Sequence, residues 1–94
     1  MITKPLTKAY FEEVRKRTES ATSGPWVPFI EGRDFPLGGD SFVGRGKDRC
    51  EEDLYLNGGT IADIDFVANA RQDIPLLLEE IDRLLKLLEQ NERS

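Results

Sequence analysis

The run from Ile74 to Leu88, IPLLLEEIDRLLKLL, constrains this chain more than any other stretch. Ile74, Leu77, Leu78, Ile81, Leu84, Leu85 and Leu88 recur at helical spacing and form one continuous apolar stripe. Glu79 with Arg83, and Asp82 with Lys86, stand four residues apart and add favourable pairs on the outer face. Leu76 and Leu87 lie off the stripe. The helix is therefore apolar over more of its circumference than the core of a small monomer can cover. Two heptads are too few to demand a coiled coil, but a homo-oligomer assembled through this helix is expected.

The joint RQDIP, Arg71 to Pro75, stands at the head of that run. Ile74 precedes a proline, which pushes it away from helical geometry. Pro75 itself is accepted in the first turn of a helix, where its missing N–H costs nothing. The chain thus predicts a break: a short helix capped by Asp63 and ending about Gln72, then a second helix capped by Asp73. Together they make a broken C-terminal helix over 63–91.

Upstream, Leu6, Tyr10, Val14 and Ala21 recur at helical spacing, with Phe11 widening the stripe, and predict an N-terminal helix over 6–22. Thr7 is its candidate N-cap, and Gly24 and Pro25 end it. Glu12, Glu13, Arg15, Lys16 and Arg17 form its solvated face. Residues 26–61 read as a small β-sheet with loops. Trp26 to Gly32 is the first strand, which Pro28 confines to an edge or a bulge because proline cannot donate to the ladder. Ser41 to Gly46 is the second, and Leu54 to Leu56 a short third before the NGG turn. The expected fold is α+β, one domain over 1–94: an N-terminal helix, a small antiparallel β-sheet and a C-terminal helix pair, oligomerising.

Ninety-four residues bury a modest core, so packing against a partner subunit is a natural supplement. Eighteen acidic against 13 basic residues give a net charge of −5. That balance argues against nonspecific binding to duplex nucleic acid, whose attraction comes from phosphate neutralisation. The single Cys50 cannot form an internal disulfide, so a reducing cytoplasm is expected. The first residues carry no secretory signal, and no apolar run is long enough to span a membrane. The chain has no histidine, which removes the usual acid–base group at neutral pH and the commonest metal ligand. Neither GxSxG nor GxxxxGK[ST] is present. The expectation is a protein that is not an enzyme and takes no metal or cofactor.

Binding residues are a different matter. GGDSFVGRG sets glycines beside Arg45 and Lys47, either as a plain hairpin turn or as backbone N–H groups presented to an anion. Near the joint, Asp65, Asn69 and Arg71 are polar groups on a helix whose apolar positions are Ile64, Phe66, Val67 and Ala70. Arg71 offers a fixed fork of donors for phosphate or carboxylate. Trp26 and Phe66 supply flat surfaces, and stacking a base on one is worth roughly 1–3 kcal/mol. In the plainer reading both aromatics pack helix on sheet, and Arg71 pairs locally with Asp73. Phe66 lies on the other side of the helix from Arg71 and is expected in the core, which leaves Trp26 as the stacking candidate. The candidate ligand-binding set is Arg71, Asp63, Asn69, Asp73, Trp26, Arg45 and Lys47.

The stretches ATSGPWV and ADIDFVANARQDIPLLLEEIDRL together resemble a pattern of short phage-encoded proteins of the Ead-like kind. That pattern runs A-T-P-G-P-W, a variable sheet region, then N/D-A-x-F-I-A-x-A-R-x-D-V/I-P-x-L-L. It is matched here by Ala21, Thr22, Gly24, Pro25 and Trp26, and then by Asp63, Phe66, Val67, Ala68, Ala70, Arg71, Asp73, Pro75, Leu77 and Leu78. Ser23 and Ile64 depart from it, and residues 30–59 hardly match at all. The layout is also similar to that of the Thoeris anti-defence sponge proteins, which hold cyclic ADP-ribose isomers or cyclic oligonucleotides at subunit interfaces without cleaving them. The resemblance implies a phage-encoded anti-defence protein that sequesters a host cyclic-nucleotide immune signal in the host cytoplasm. Nanomolar capture of such a signal needs about −12 kcal/mol. The alternative is a phage accessory protein that contacts a host protein and takes no small ligand. Sequestration expects Arg71 and nearby aromatics to line a concave interface; protein contact expects an exposed apolar patch.

Overall fold

In the computed structural model, which describes residues 6–93, the chain runs α1 (Lys8–Ser20), β1 (Trp26–Phe29), β2 (Phe42–Arg45), a single 3-10 turn (Lys47–Arg49), β3 (Glu51–Leu54) and α2 (Ile61–Arg93). The class is α+β, with an N-terminal helix, a three-stranded antiparallel sheet and a long C-terminal helix. Two compact units make up the chain: the residues up to Ala21 together with those from Ile74 onward, and Thr22–Asp73.

In the first of these units, Thr7 is the N-cap of α1, as its sequence position predicts. Its hydroxyl accepts the N–H of Tyr10 at 3.1 Å, satisfying a donor that the first turn leaves orphaned. The distal half of α2 lies beside α1. Arg15 Nη2 reaches Asp82 Oδ2 at 2.7 Å, and Lys8 Nζ stands 3.7 Å from Glu89 Oε1. As numbers rise along α1 their partners fall along α2, so the two segments run antiparallel. This unit has a thin interior. No described residue of α1 is buried, and among the described residues of distal α2 only Leu78 is a buried apolar one.

The second unit holds the sheet, in the order β1-β2-β3. Pro28 sits on the edge strand β1, where a missing N–H leaves no ladder bond unmade. β2 is central, and its Val43 is fully buried with Ile30 against Ile64 and Ala68 of α2. Trp26, Leu54 and Leu56 close around them. Burying an Ile or Val of this kind contributes roughly 1.5–3 kcal/mol relative to exposure. On the opposite face of β2, Gly44 has no room for a side chain. A Cβ there would come within 2.8 Å of the Phe29 ring and 2.9 Å of Arg49 Cγ.

Two expectations change. The third strand is Glu51–Leu54, earlier than the Leu54–Leu56 segment that its apolar residues suggest. Pairing with β2 dictates this: Arg45 faces Glu51 and Val43 faces Leu54, with an irregularity between them, and Leu56 goes to the core instead. The larger change is at the joint. The C-terminal helix pair is a single continuous helix from Ile61 to Arg93, with Pro75 inside it. Asp73 is an exposed interior residue of that helix and caps nothing. Proline at this depth removes the bond to the carbonyl four residues back and costs about 3 kcal/mol. Strong helix formers on both sides of Pro75 keep the helical path through it.

The true start of α2 is a reciprocal cap. Thr60 N–H donates to Asp63 Oδ2 at 2.9 Å, and Asp63 N–H donates to Thr60 Oγ1 at 3.1 Å. Asp63 is therefore the fourth member of a capping box whose N-cap is Thr60.

Candidate functional site

Thr22 draws together residues that lie far apart in sequence. Its carbonyl accepts the Arg71 Nε–H at 2.9 Å and the Trp26 indole Nε1–H at 3.0 Å, and its hydroxyl accepts Arg45 Nη1 at 2.8 Å. Arg45 also donates from Nε to the carbonyl of Glu52 at 2.9 Å, and its guanidinium lies 5.7 Å from the centroid of the Trp26 ring. The next residue of α2, Gln72, pairs with the outer edge of β1. Its Oε1 accepts the Trp26 N–H at 2.8 Å, while its Nε2 donates to the Trp26 carbonyl at 3.0 Å. A side-chain amide thus makes the two bonds that a neighbouring strand would make, and it covers an edge that would otherwise be open. Since Trp26 points its N–H and carbonyl outward, Pro28, two residues on, turns its N to the same side.

Three of the seven candidate residues, Arg71, Trp26 and Arg45, therefore meet around one threonine. They meet as a clasp between the start of β1, the end of β2 and α2, with their donors aimed at backbone and hydroxyl oxygens. The other four lie elsewhere. Asp63 belongs to the cap of α2, and the exposed Asn69 donates from Nδ2 to the carbonyl of Asp65 at 2.8 Å, one turn back. Asp73 is exposed on the helix, and Lys47 is exposed in the 3-10 turn. Phe66, expected in the core, is 74% exposed. Ile64 and Ala68, one turn apart, face the sheet, and two residues of helix carry Phe66 about 200° round from Ile64.

Groups outside the candidate set also come together. Arg49 makes two bonds to the Asp53 carboxylate, 2.6 and 3.2 Å long, and its guanidinium lies 4.7 Å from the Phe42 ring and 5.1 Å from Phe29. Phe29 and Phe42 stack at 5.0 Å, with Phe35 and Tyr55 tilted against Phe42. Arg33 holds Asp65 through two bonds of 2.9 Å. Those bonds keep the Asp65 carboxyl below its usual range and raise the Arg33 guanidinium. On distal α2, Arg83 pairs with Glu80 and lowers its carboxyl in the same way.

An open cavity of about 440 Å³ lies beside the sheet, with Glu31, Asp40, Ser41, Tyr55, Asn57 and Ile61 among its lining residues. Its size suits a small molecule. Two carboxylates line it and no lysine or arginine does, so its field does not favour a phosphate.

The distal helix shows a different kind of surface. Leu76, Leu77, Leu84, Leu87 and Leu88 are all exposed, Leu76 and Leu77 by 62% and 61%. Among the described residues no helix is long and apolar enough to cross a membrane, and no cluster of metal-ligating side chains occurs. Comparison with protein-family models, curated proteins and solved structures finds no match.

Proposed function

We propose that this protein works by protein contact through the apolar face of distal α2, without catalysis. The observation that carries this is the row of exposed leucines at 76, 77, 84, 87 and 88. Scattered surface leucines are ordinary, but five on fewer than four turns of one helix form a contiguous patch of the kind that marks a contact site. The thin interior of the unit that carries them points the same way, since covering this face would supply burial that one chain lacks.

Sequestration of a cyclic nucleotide is the second reading, and the cavity beside Tyr55 is the observation in its favour. It is the weaker one. The arginines assigned to phosphate, Arg71 and Arg45, spend donors on Thr22 and on the carbonyl of Glu52.

The test for protein contact is thermal unfolding followed over a range of protein concentrations, alone and with host-cell extract protein. Anything that binds the folded chain raises its midpoint by mass action. The reading expects such a rise for the natural sequence and none for Leu77→Asp. Equal midpoints for both proteins under every condition would contradict it. For sequestration, denaturing the protein after exposure to defence-positive, infected-cell extract should release an intact cyclic nucleotide.

A further inference from the structure

The exposed face of distal α2 reads nearly the same in both directions. Leu76 and Leu77 stand at one end, Leu87 and Leu88 at the other, with Glu80, Arg83 and Leu84 between them. Reversal about residue 82 exchanges the leucine pairs and carries Glu80 onto Leu84, one residue from Arg83. From this self-complementarity we infer that the face takes a second copy of this chain, laid antiparallel across a two-fold axis near the middle of the segment. The inference rests on the reading that this face is the working surface, and it names the partner.

A two-fold contact uses the same patch on both subunits, so the patch must match its own rotated image. Antiparallel pairing satisfies this twice over. Leu76 and Leu77 of one copy meet Leu88 and Leu87 of the other, and Glu80 of each copy lies opposite Leu84 and within one residue of Arg83 of its partner. Each Glu80 already pairs with Arg83 of its own chain, three residues on. The dimer therefore closes two acids and two bases into a neutral ring at the centre, flanked by leucine at both ends. Parallel pairing would set Glu80 beside Glu80 and Arg83 beside Arg83, and like charges across an interface select against that arrangement. A host protein would meet the leucines equally well, but it has no reason to match the charge order of this face in reverse.

The other side of distal α2 is already occupied. α1 lies antiparallel to it, joined by Arg15 with Asp82 and Lys8 with Glu89. A second copy on the open side gives a four-helix arrangement, with two α2 segments inside and two α1 helices outside. The leucines left exposed in one chain then become its interior.

Cysteine cross-linking in the full-length chain tests this, with Cys50→Ser removing the exposed native thiol. Leu76→Cys and Leu88→Cys are made separately, with tags of different mass, then mixed and oxidised. The antiparallel dimer expects a disulfide between the two variants and none in either alone. Like positions in that dimer are roughly 18 Å apart along the helix, beyond the Cα reach of a disulfide. A homodisulfide in Leu76→Cys alone would mean parallel pairing and overturn the inference, while leaving the helix face as the working surface. No cross-link, with sedimentation at the mass of one chain, would overturn the second copy as partner; protein contact would then stand only if Leu77→Asp still lost a heterologous partner. A dimer that forms equally well in Leu77→Asp would remove both.

Discussion

At the scale of single residues, Thr22 ties Arg71 to Trp26. One carbonyl accepts from both, so each side chain helps to fix the other where the chain enters β1. Arg71→Ala removes a charged donor from a half-buried carbonyl and should cost about 1–2 kcal/mol. The check is urea denaturation, which should show a lower midpoint with an unchanged slope. An unchanged midpoint would make the clasp incidental. A second residue-level prediction concerns acid. The bonds from Arg33 hold the folded Asp65 carboxyl below its usual value. Their contribution to stability is therefore complete above the ordinary aspartate range and is lost as pH falls through the lower folded value. Asp65→Asn should flatten the acid limb of a stability–pH curve and leave its slope near neutrality unchanged. An unaltered acid limb would show that the pair is not coupled to folding. Arg71 and Trp26 could be singled out from the sequence because an arginine fork and an indole are chemically conspicuous. Thr22 and Gln72 could not. A backbone carbonyl as acceptor, and an amide that stands in for a strand, leave no pattern in the order of residues.

Among the elements, α1 and its Thr7 cap were legible because capping and helical periodicity act over a few neighbouring residues. The edge position of β1 was legible for a similar reason, since one proline limits where a strand can lie. Pre-proline sterics act locally and predict an end to the first C-terminal helix near Gln72, whereas continuity depends on the helix formers on both sides. The capping box was also present to be read, in the Thr-x-x-Asp of residues 60–63, three residues before the cap expected. Pro75→Ala restores an N–H inside a helix that already exists. It should therefore raise the denaturation midpoint, with a gain in stability of up to about 3 kcal/mol. A lower midpoint would mean that the chain needs the geometry proline imposes. Thermal or chemical unfolding of the two proteins side by side decides it.

On the scale of the whole molecule, the breadth of the C-terminal stripe was the most informative thing in the sequence. Leu76 and Leu87 lay outside any stripe a single core could cover, and both are exposed. Phe66 shows the limit of that reasoning. Its place across the helix from Arg71 points to burial, but which face of a helix meets a sheet is settled by tertiary packing, and Ile64 and Ala68 take that place. The candidate ligand set scattered for the same reason: helical spacing puts residues on a face without saying what the face meets. What the fold leaves on the outside is then the better guide to function, and here it is an apolar helix face. Sedimentation of the natural protein beside Leu77→Asp at micromolar concentration tests this most directly. The account predicts a species of twice the 10.7 kDa chain mass for the natural sequence, and the mass of one chain, with unchanged helical circular dichroism, for the variant. Identical sedimentation of the two proteins would contradict it.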